Sequence, residues 1–279
     1  MVVRRALGRT IFSILLCFAV LAPMRAQSPQ KLWHLDQEIQ GGYPGGLQSS
    51  TRLFYRIPLS RSADPLWKAT KIDLGLANAL SPAFDFLGAF VDIEPIAFFD
   101  IALSAQAQSY FKALGYGFHD IAGYQSAFDA STLEDLPSKN TLGYCLSAAP
   151  TLKVALGRIV ASDTFSISYF DVDVDDGQGY FYEAEANCIL AKKGVELANQ
   201  AYLLLAVGDS LMLGFNDSLL RVPSSGYESQ AVHAVAVFDS TIGKDMSLYF
   251  ALLTGLYVED RYFDRQVHLA GTVGLALDL

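Results

Sequence analysis

The sequence predicts an all-β chain: an antiparallel up-and-down transmembrane β-barrel of about twelve strands, with ten to fourteen compatible with the pattern. Three observations lead there. Apolar residues are abundant but dispersed. They alternate with polar ones at a period of two in segment after segment. The two longest connections between those segments fall on the same side of the strand count. Hydrophobic residues make up 52% of the chain and the mean hydropathy is +0.27. Yet beyond the first 26 residues the longest apolar stretch is Ala201–Val207, far short of the roughly 20 residues a spanning helix needs. A soluble globule gathers such residues into a core, whereas a barrel in lipid spreads them over alternate positions of many strands.

The elements follow in chain order. Met1–Thr10 holds Arg4, Arg5 and Arg9 and no acid, Ile11–Leu21 is continuously apolar, and Ala26 offers a small residue for cleavage. A basic start, a short apolar run and a small-residue exit read as a secretory signal peptide over residues 1–26, followed by one barrel domain over 27–279. The remaining 253 residues carry 16 basic groups against 29 acidic ones, net −13. Such a chain repels nucleic acid, so nucleic-acid binding is set aside. Cys145 and Cys188 remain after the signal, too few for a disulfide framework, although one bridge between them is open.

Lys31–Gln40 is the first and least regular strand. Arg52–Leu59 sets Leu53, Tyr55, Ile57 and Leu59 against Arg52, Phe54 and Arg56. Lys71–Leu80 and Phe84–Ile93 follow. In Ile96–Tyr110, Phe99, Ile101, Leu103, Ala105 and Ala107 face one way and Asp100, Ser104, Gln106 and Gln108 the other. Thr141–Gly157 is the clearest case: its even positions run Leu142, Tyr144, Leu146, Ala148, Pro150, Leu152, Val154, Leu156, while its odd positions are small or polar. A period of two held that long excludes an amphipathic helix. Thr164–Val172, Leu197–Val207, Leu211–Leu220, Ala231–Phe238 and Met246–Val258 complete the series before Val267–Leu279.

That last strand carries a motif. Thr272-x-Gly274-x-x-Leu277-x-Leu279 resembles the C-terminal assembly signal of bacterial outer-membrane β-barrel proteins, which usually ends on an aromatic where this chain has Leu279. The resemblance implies location in the bacterial outer membrane. It also implies two partners, outer-membrane lipid and the barrel assembly machinery.

Parity then places the connections. Turns are expected at Ser60–Thr70, Glu94–Pro95, Gly157–Asp163, Gly208–Ser210 and Asp239–Asp245, on the side of both termini, and all but the first are short. The long segments Phe111–Asn140 and Asp173–Glu196 fall together on the other side, with Tyr182–Ala191 inside an outer loop. Short periplasmic turns and long outer loops are the asymmetry of such barrels. Tyr110, Tyr144, Tyr169 and Tyr257 fall near the outer strand ends, where amphipathic rings collect at headgroup level.

The candidate functional residues are those expected to line the lumen: Arg52, Arg56, Asp73, Asp92, Asp100, Gln106, Lys153 and His268. Facing lipid, a charge costs about 2–4 kcal/mol at the bilayer midplane, so these point inward. Mixed signs can line a water-filled pore or pair and close it. Asp171, Asp173, Asp175 and Glu183 resemble the opening of a calcium loop, but the glycine and the closing glutamate come one residue late for that pattern; a solvated acidic loop is the simpler reading. The histidines His34, His119, His233 and His268 have no serine beside them in sequence to build a hydrolase, and no metal or nucleophile motif is present. No cofactor and no enzymatic activity are expected. The expected function is a passive channel for small polar solutes; the alternative is a closed-lumen structural or surface-binding protein that works through its outer loops. The sequence leaves the oligomeric state open.

Overall fold

A strand with one apolar and one polar face still leaves a row of unpaired backbone groups at each sheet edge, and in lipid only closure removes them. The computed structural model describes residues 32–279, apart from 44–45, 61, 63, 112–117, 124–135, 176–177, 184, 187 and 262. The expected signal segment lies outside the described residues. The strands are β1 (Trp33–Tyr43), β2 (Leu47–Pro58), β3 (Lys71–Leu80), β4 (Phe84–Ile96), β5 (Phe99–Tyr110), β6 (Asp120–Ile121), β7 (Thr141–Leu156), β8 (Ile159–Val172), β9 (Tyr180–Glu183), β10 (Cys188–Ala191), β11 (Lys193–Ala206), β12 (Leu211–Val222), β13 (Tyr227–Ile242), β14 (Met246–Asp260) and β15 (Val267–Asp278). One short helix, α1 (Pro65–Lys68), lies between β2 and β3, with Asp64 as its N-cap.

Twelve of these strands close into a barrel in chain order, β15 returning to pair antiparallel with β1; β6, β9 and β10 form a separate three-stranded sheet. All twelve expected strands are present. The alternation decides the wall: Leu142, Leu146, Leu152, Val154 and Leu156 of β7 are exposed on the outside, while Cys145, Ser147 and Thr151 face the lumen beside Phe170, Ser168 and Thr164 of β8. The long segments 111–140 and 173–192 both leave from the end opposite the termini. By the asymmetry of such barrels that is the outer end.

Several boundaries differ from the sequence reading, and two of them have a clear local reason. Glu94–Pro95 is not a turn. Pro95 has no N–H for the ladder, the pairing with β5 skips from Ile93 to Ile96, and the chain reverses at residues 97–98. Gly157, in the left-handed region (φ 62°), allows a two-residue turn, so β8 starts at Ile159. Asp163 thereby pairs with Leu152 on the outer face, where the Asn199 amide donates to its carboxylate at 2.6 Å. The tyrosines also divide. Tyr144 and Tyr169 pack together outside, centroids 6.2 Å apart, whereas Tyr110 is buried and Tyr257 turns inward against His268.

Glycines on the inner face let side chains meet across an intervening strand. Rows two strands apart are separated by about 10 Å, twice the strand spacing. Gly75 of β3 lies between Phe54 and Phe90, whose rings contact at 5.9 Å. Gly255 of β14 lies between His233 and His268. Gly274 of β15 lies between Tyr249 and Glu38; the tyrosine crosses it, and its hydroxyl donates to the glutamate.

This last contact spans the seam, which is also stitched at the periplasmic end. His34 Nδ1 meets Asp278 Oδ1 at 2.7 Å, and the Leu279 N–H donates to the Trp33 carbonyl at 2.9 Å. Deleting Leu277–Leu279 removes these contacts and the pairing of Leu277 with Leu35. The expected result is loss of the compact, heat-modifiable form on unboiled gels. A truncated chain that still migrates as a closed barrel would show that the seam does not need them.

Candidate functional site

The lumen divides into three levels. At the periplasmic end a charge network runs across five adjacent strands. Arg56 donates to both carboxylate oxygens of Asp73 (2.8 and 2.9 Å). Lys71 lies 3.6 Å from Asp73 and 3.7 Å from Glu94. Lys153 lies 3.3 Å from Glu94 and 2.6 Å from Asp100. Asp100, Lys153, Glu94, Lys71, Asp73 and Arg56 therefore alternate in sign along one connected chain with no net charge.

At mid-height Arg52 pairs with Asp92, its guanidinium 3.9 Å from the Phe90 ring centroid. Across the lumen, Asn216, His233 and His268 form a hydrogen-bonded row. The Asn216 amide donates to the Ala201 carbonyl at 3.2 Å. That turns its oxygen toward His233 Nδ1, at 2.9 Å. His233 is then protonated on Nδ1, and its Nε2 accepts from His268 Nδ1 at 2.5 Å. A Cβ at position 255 would lie 1.9 Å from the Val232 carbonyl oxygen and 2.7 Å from His233 Cα, so glycine there is what lets β14 lie this close to β13 beneath the pair.

At the outer end the lumen is narrowed by packed side chains. Inward residues of the wall, among them Phe84, Phe86, Tyr110, Cys145, Phe170 and Tyr227, pack in one buried cluster with Phe118, Phe181, Cys188 and Leu190 from the loop segments. Tyr110, Phe118 and Phe181 stack edge and face at 5.2–6.2 Å. The Tyr182–Ala191 segment, expected inside an outer loop, thus folds onto the barrel mouth, where Phe181, Cys188 and Leu190 of β9 and β10 are buried against the inner wall. Cys145 and Cys188 are free thiols within this cluster.

Just beneath, Gln106, Gln108, Cys145, Ser147, Ser168, Phe170, Glu183, Glu185, Ala186 and Glu196 line a cavity of about 200 Å³. Glu183 belongs to β9, outside the spanning strands. Its Oε2 accepts from the Ala186 N–H at 2.5 Å, and burial with Glu185 and Glu196 alongside pushes its carboxyl up to about 8. Glu185 is reached by the Gln48 amide across the mouth at 3.4 Å.

Of the residues expected to line the lumen, Arg52, Arg56, Asp73, Asp92, Asp100 and Lys153 enter ion pairs, Gln106 lines the outer cavity, and His268 joins the histidine row. The four residues of the calcium-like segment do not converge. Asp171 pairs with Lys193, Asp173 lies near Lys192, Asp175 pairs with Lys139, and Glu183 turns into the barrel. Among the described residues no three His, Cys, Asp or Glu side chains are placed to hold a metal ion. Sequence reasoning puts Gln108 on the polar face of its strand and weighs His233 only as a catalytic residue, naming neither among the lumen candidates, and it misses Glu185 and Glu196. Strand parity places Glu196 inward once β11 is begun at Lys193; Glu185 depends on the fold of its hairpin and has no such signal.

A closed twelve-stranded antiparallel barrel with an apolar outer wall and a charged inner one is the architecture of the bacterial outer-membrane β-barrels. No protein-family description matches the sequence, and no curated protein matches it. Solved structures do. The KdgM porin in complex with disordered oligogalacturonate is 9% identical with a TM-score of 0.41, over 88% of this chain and 99% of that one. The NanC porin is 7% identical with a TM-score of 0.42, over 88% and 100%. The β domain of the Bordetella autotransporter BrkA is 12% identical with a TM-score of 0.46, over 89% and 98%. At these identities the likeness is one of fold.

Proposed function

We propose that this barrel is a passive outer-membrane channel for small polar solutes, narrowed at its outer mouth by the β6–β9–β10 sheet, and that it does no chemistry of its own. One observation carries the reading: while Asp73 and Glu94 are largely buried, other lumen charges stay open to water. Paired side chains facing the inside of a closed barrel would be dry if they plugged it. Instead Arg52 and Asp92 keep 40% and 28% exposure, and Lys153 and Asp100 keep 37% and 24%. Rings of charge beside water are what ion- and solute-selective pores present. The network and the Arg52–Asp92 pair leave a lumen of mixed sign, suited to polar solutes in general. Twelve strands enclose less than the 16–18 of open porins, which fits small solutes.

The companion proposals are that residues 1–26 are removed on export and that β15 is the strand read by the barrel assembly machinery. The test of function is planar-bilayer conductance of the refolded chain. Discrete current steps are expected, small and intermittent because the mouth sheet sits in the path. An intact barrel that stays silent under voltage would instead favour the closed-lumen, surface-binding protein.

A further inference from the structure

The cavity under the mouth sheet presents an unusual lining. Three carboxylates share it, Glu183, Glu196 and, at its exposed rim, Glu185, and among the described residues no lysine, arginine or histidine lines it. Buried charges are ordinarily paired. Two acceptors here are buried without a partner: Glu183 Oε1 and Gln108 Oε1, on side chains of residues only 2% exposed. The chemistry missing from the lining is a cationic donor. A directly ligated metal is disfavoured by the placement of the donors. A primary ammonium asks less of geometry, since its three N–H groups can be shared among several acceptors.

We propose that the Glu183–Glu185–Glu196 nest is a binding subsite for the ammonium group of a small cationic solute. This deepens the channel reading and rests on it for the solute's route, but not for the binding itself. A carboxylate pair and a buried amide oxygen supply charge-assisted hydrogen bonds to the ammonium. The cavity of about 200 Å³ admits a short aliphatic amine. A cation bound beside Glu183 favours its ionised form, so binding releases the proton that burial holds there. The other groups facing Glu183 are the carboxyls of Glu185 and Glu196, the thiols of Cys145 and Cys188, and the Tyr110 hydroxyl; none supplies a positive charge.

The experiment is calorimetric titration of the full refolded barrel in detergent with 1,4-diaminobutane, tetramethylammonium chloride and calcium chloride at matched ionic strength. Saturable 1:1 binding of the diamine is expected, with none of tetramethylammonium, which has no N–H to give. The loss of one charge-assisted bond is roughly tenfold or more in affinity, so Glu183→Gln and Glu196→Gln should each weaken diamine binding at least that much. Diamine affinity should rise from pH 6 to pH 9 in the native chain and rise distinctly less in Glu183→Gln, which keeps the Glu185 and Glu196 carboxyls. Heat-modifiable migration of each variant confirms that the barrel has closed. No saturable binding, equal binding by Glu183→Gln, or calcium taken up to the exclusion of the diamine would each overturn the proposal. A barrel that binds the diamine yet passes no current would count against the channel and leave the subsite standing.

Discussion

Replacing residues 174–191 by a two-residue turn should turn small, intermittent current into a steady one, several-fold larger. The replacement is local. The Val172 N–H already donates to the Lys192 carbonyl at 2.9 Å, and Lys193 pairs with Asp171, so β8 and β11 stand side by side where the new turn would join them. It deletes β9 and β10, and with them Phe181, Cys188 and Leu190, which narrow the mouth against Phe86, Tyr110 and Phe170. The twelve wall strands keep every ladder, so the barrel should still close and shift on unboiled gels. Exposing the aromatic lining to water lowers stability, yet that face is remote from the seam. The measurement is single-channel conductance of the two proteins at the same salt and voltage. Equal current from both would mean that the mouth sheet does not obstruct the path, and the gating part of the channel reading would fall.

The barrel was legible because lipid and lumen impose opposite demands on alternate residues. In β7 that contrast runs unbroken from Leu142 to Leu156, and it fixes strand, face and parity together. Boundaries were less legible. Pro95 suggests a turn in any sequence, and only the ladder shows that it sits at a skipped pair inside β4. The inner-face charges could be placed but not paired from sequence, since Arg52 meets Asp92 two strands away, over Gly75 and its neighbours. His233 was discounted for lack of a serine in its own strand. Its partners, Asn216 and His268, come from strands on either side, and the contact depends on a glycine at 255. The outer nest was least legible. It is assembled from β5, β7, β8, β11 and a hairpin that folds back on the wall, so no spacing in the chain records it.

Gly274→Val should destabilise the closed barrel by about 1–3 kcal/mol, the usual cost of forcing volume into a packed site. A Cβ at 274 would lie 2.0 Å from Tyr249 Cε1 and 2.2 Å from its Cζ. The tyrosine would have to leave, giving up its bond to Glu38 and with it a clasp over β14, β15 and β1 at the point where the barrel closes. Urea titration of the refolded protein, followed by heat-modifiable migration, measures the loss. The same glycine belongs to the C-terminal segment that resembles an assembly signal, so impaired assembly alone would not say why. A second substitution decides. Tyr249→Ala removes the ring that the introduced valine strikes, while leaving Leu277 and Leu279 untouched. If the notch is the reason, the double variant should regain much of the stability lost by Gly274→Val alone, a coupling expected of residues in direct contact. If glycine at 274 serves recognition by another protein, trimming Tyr249 should restore nothing, and the two substitutions should add.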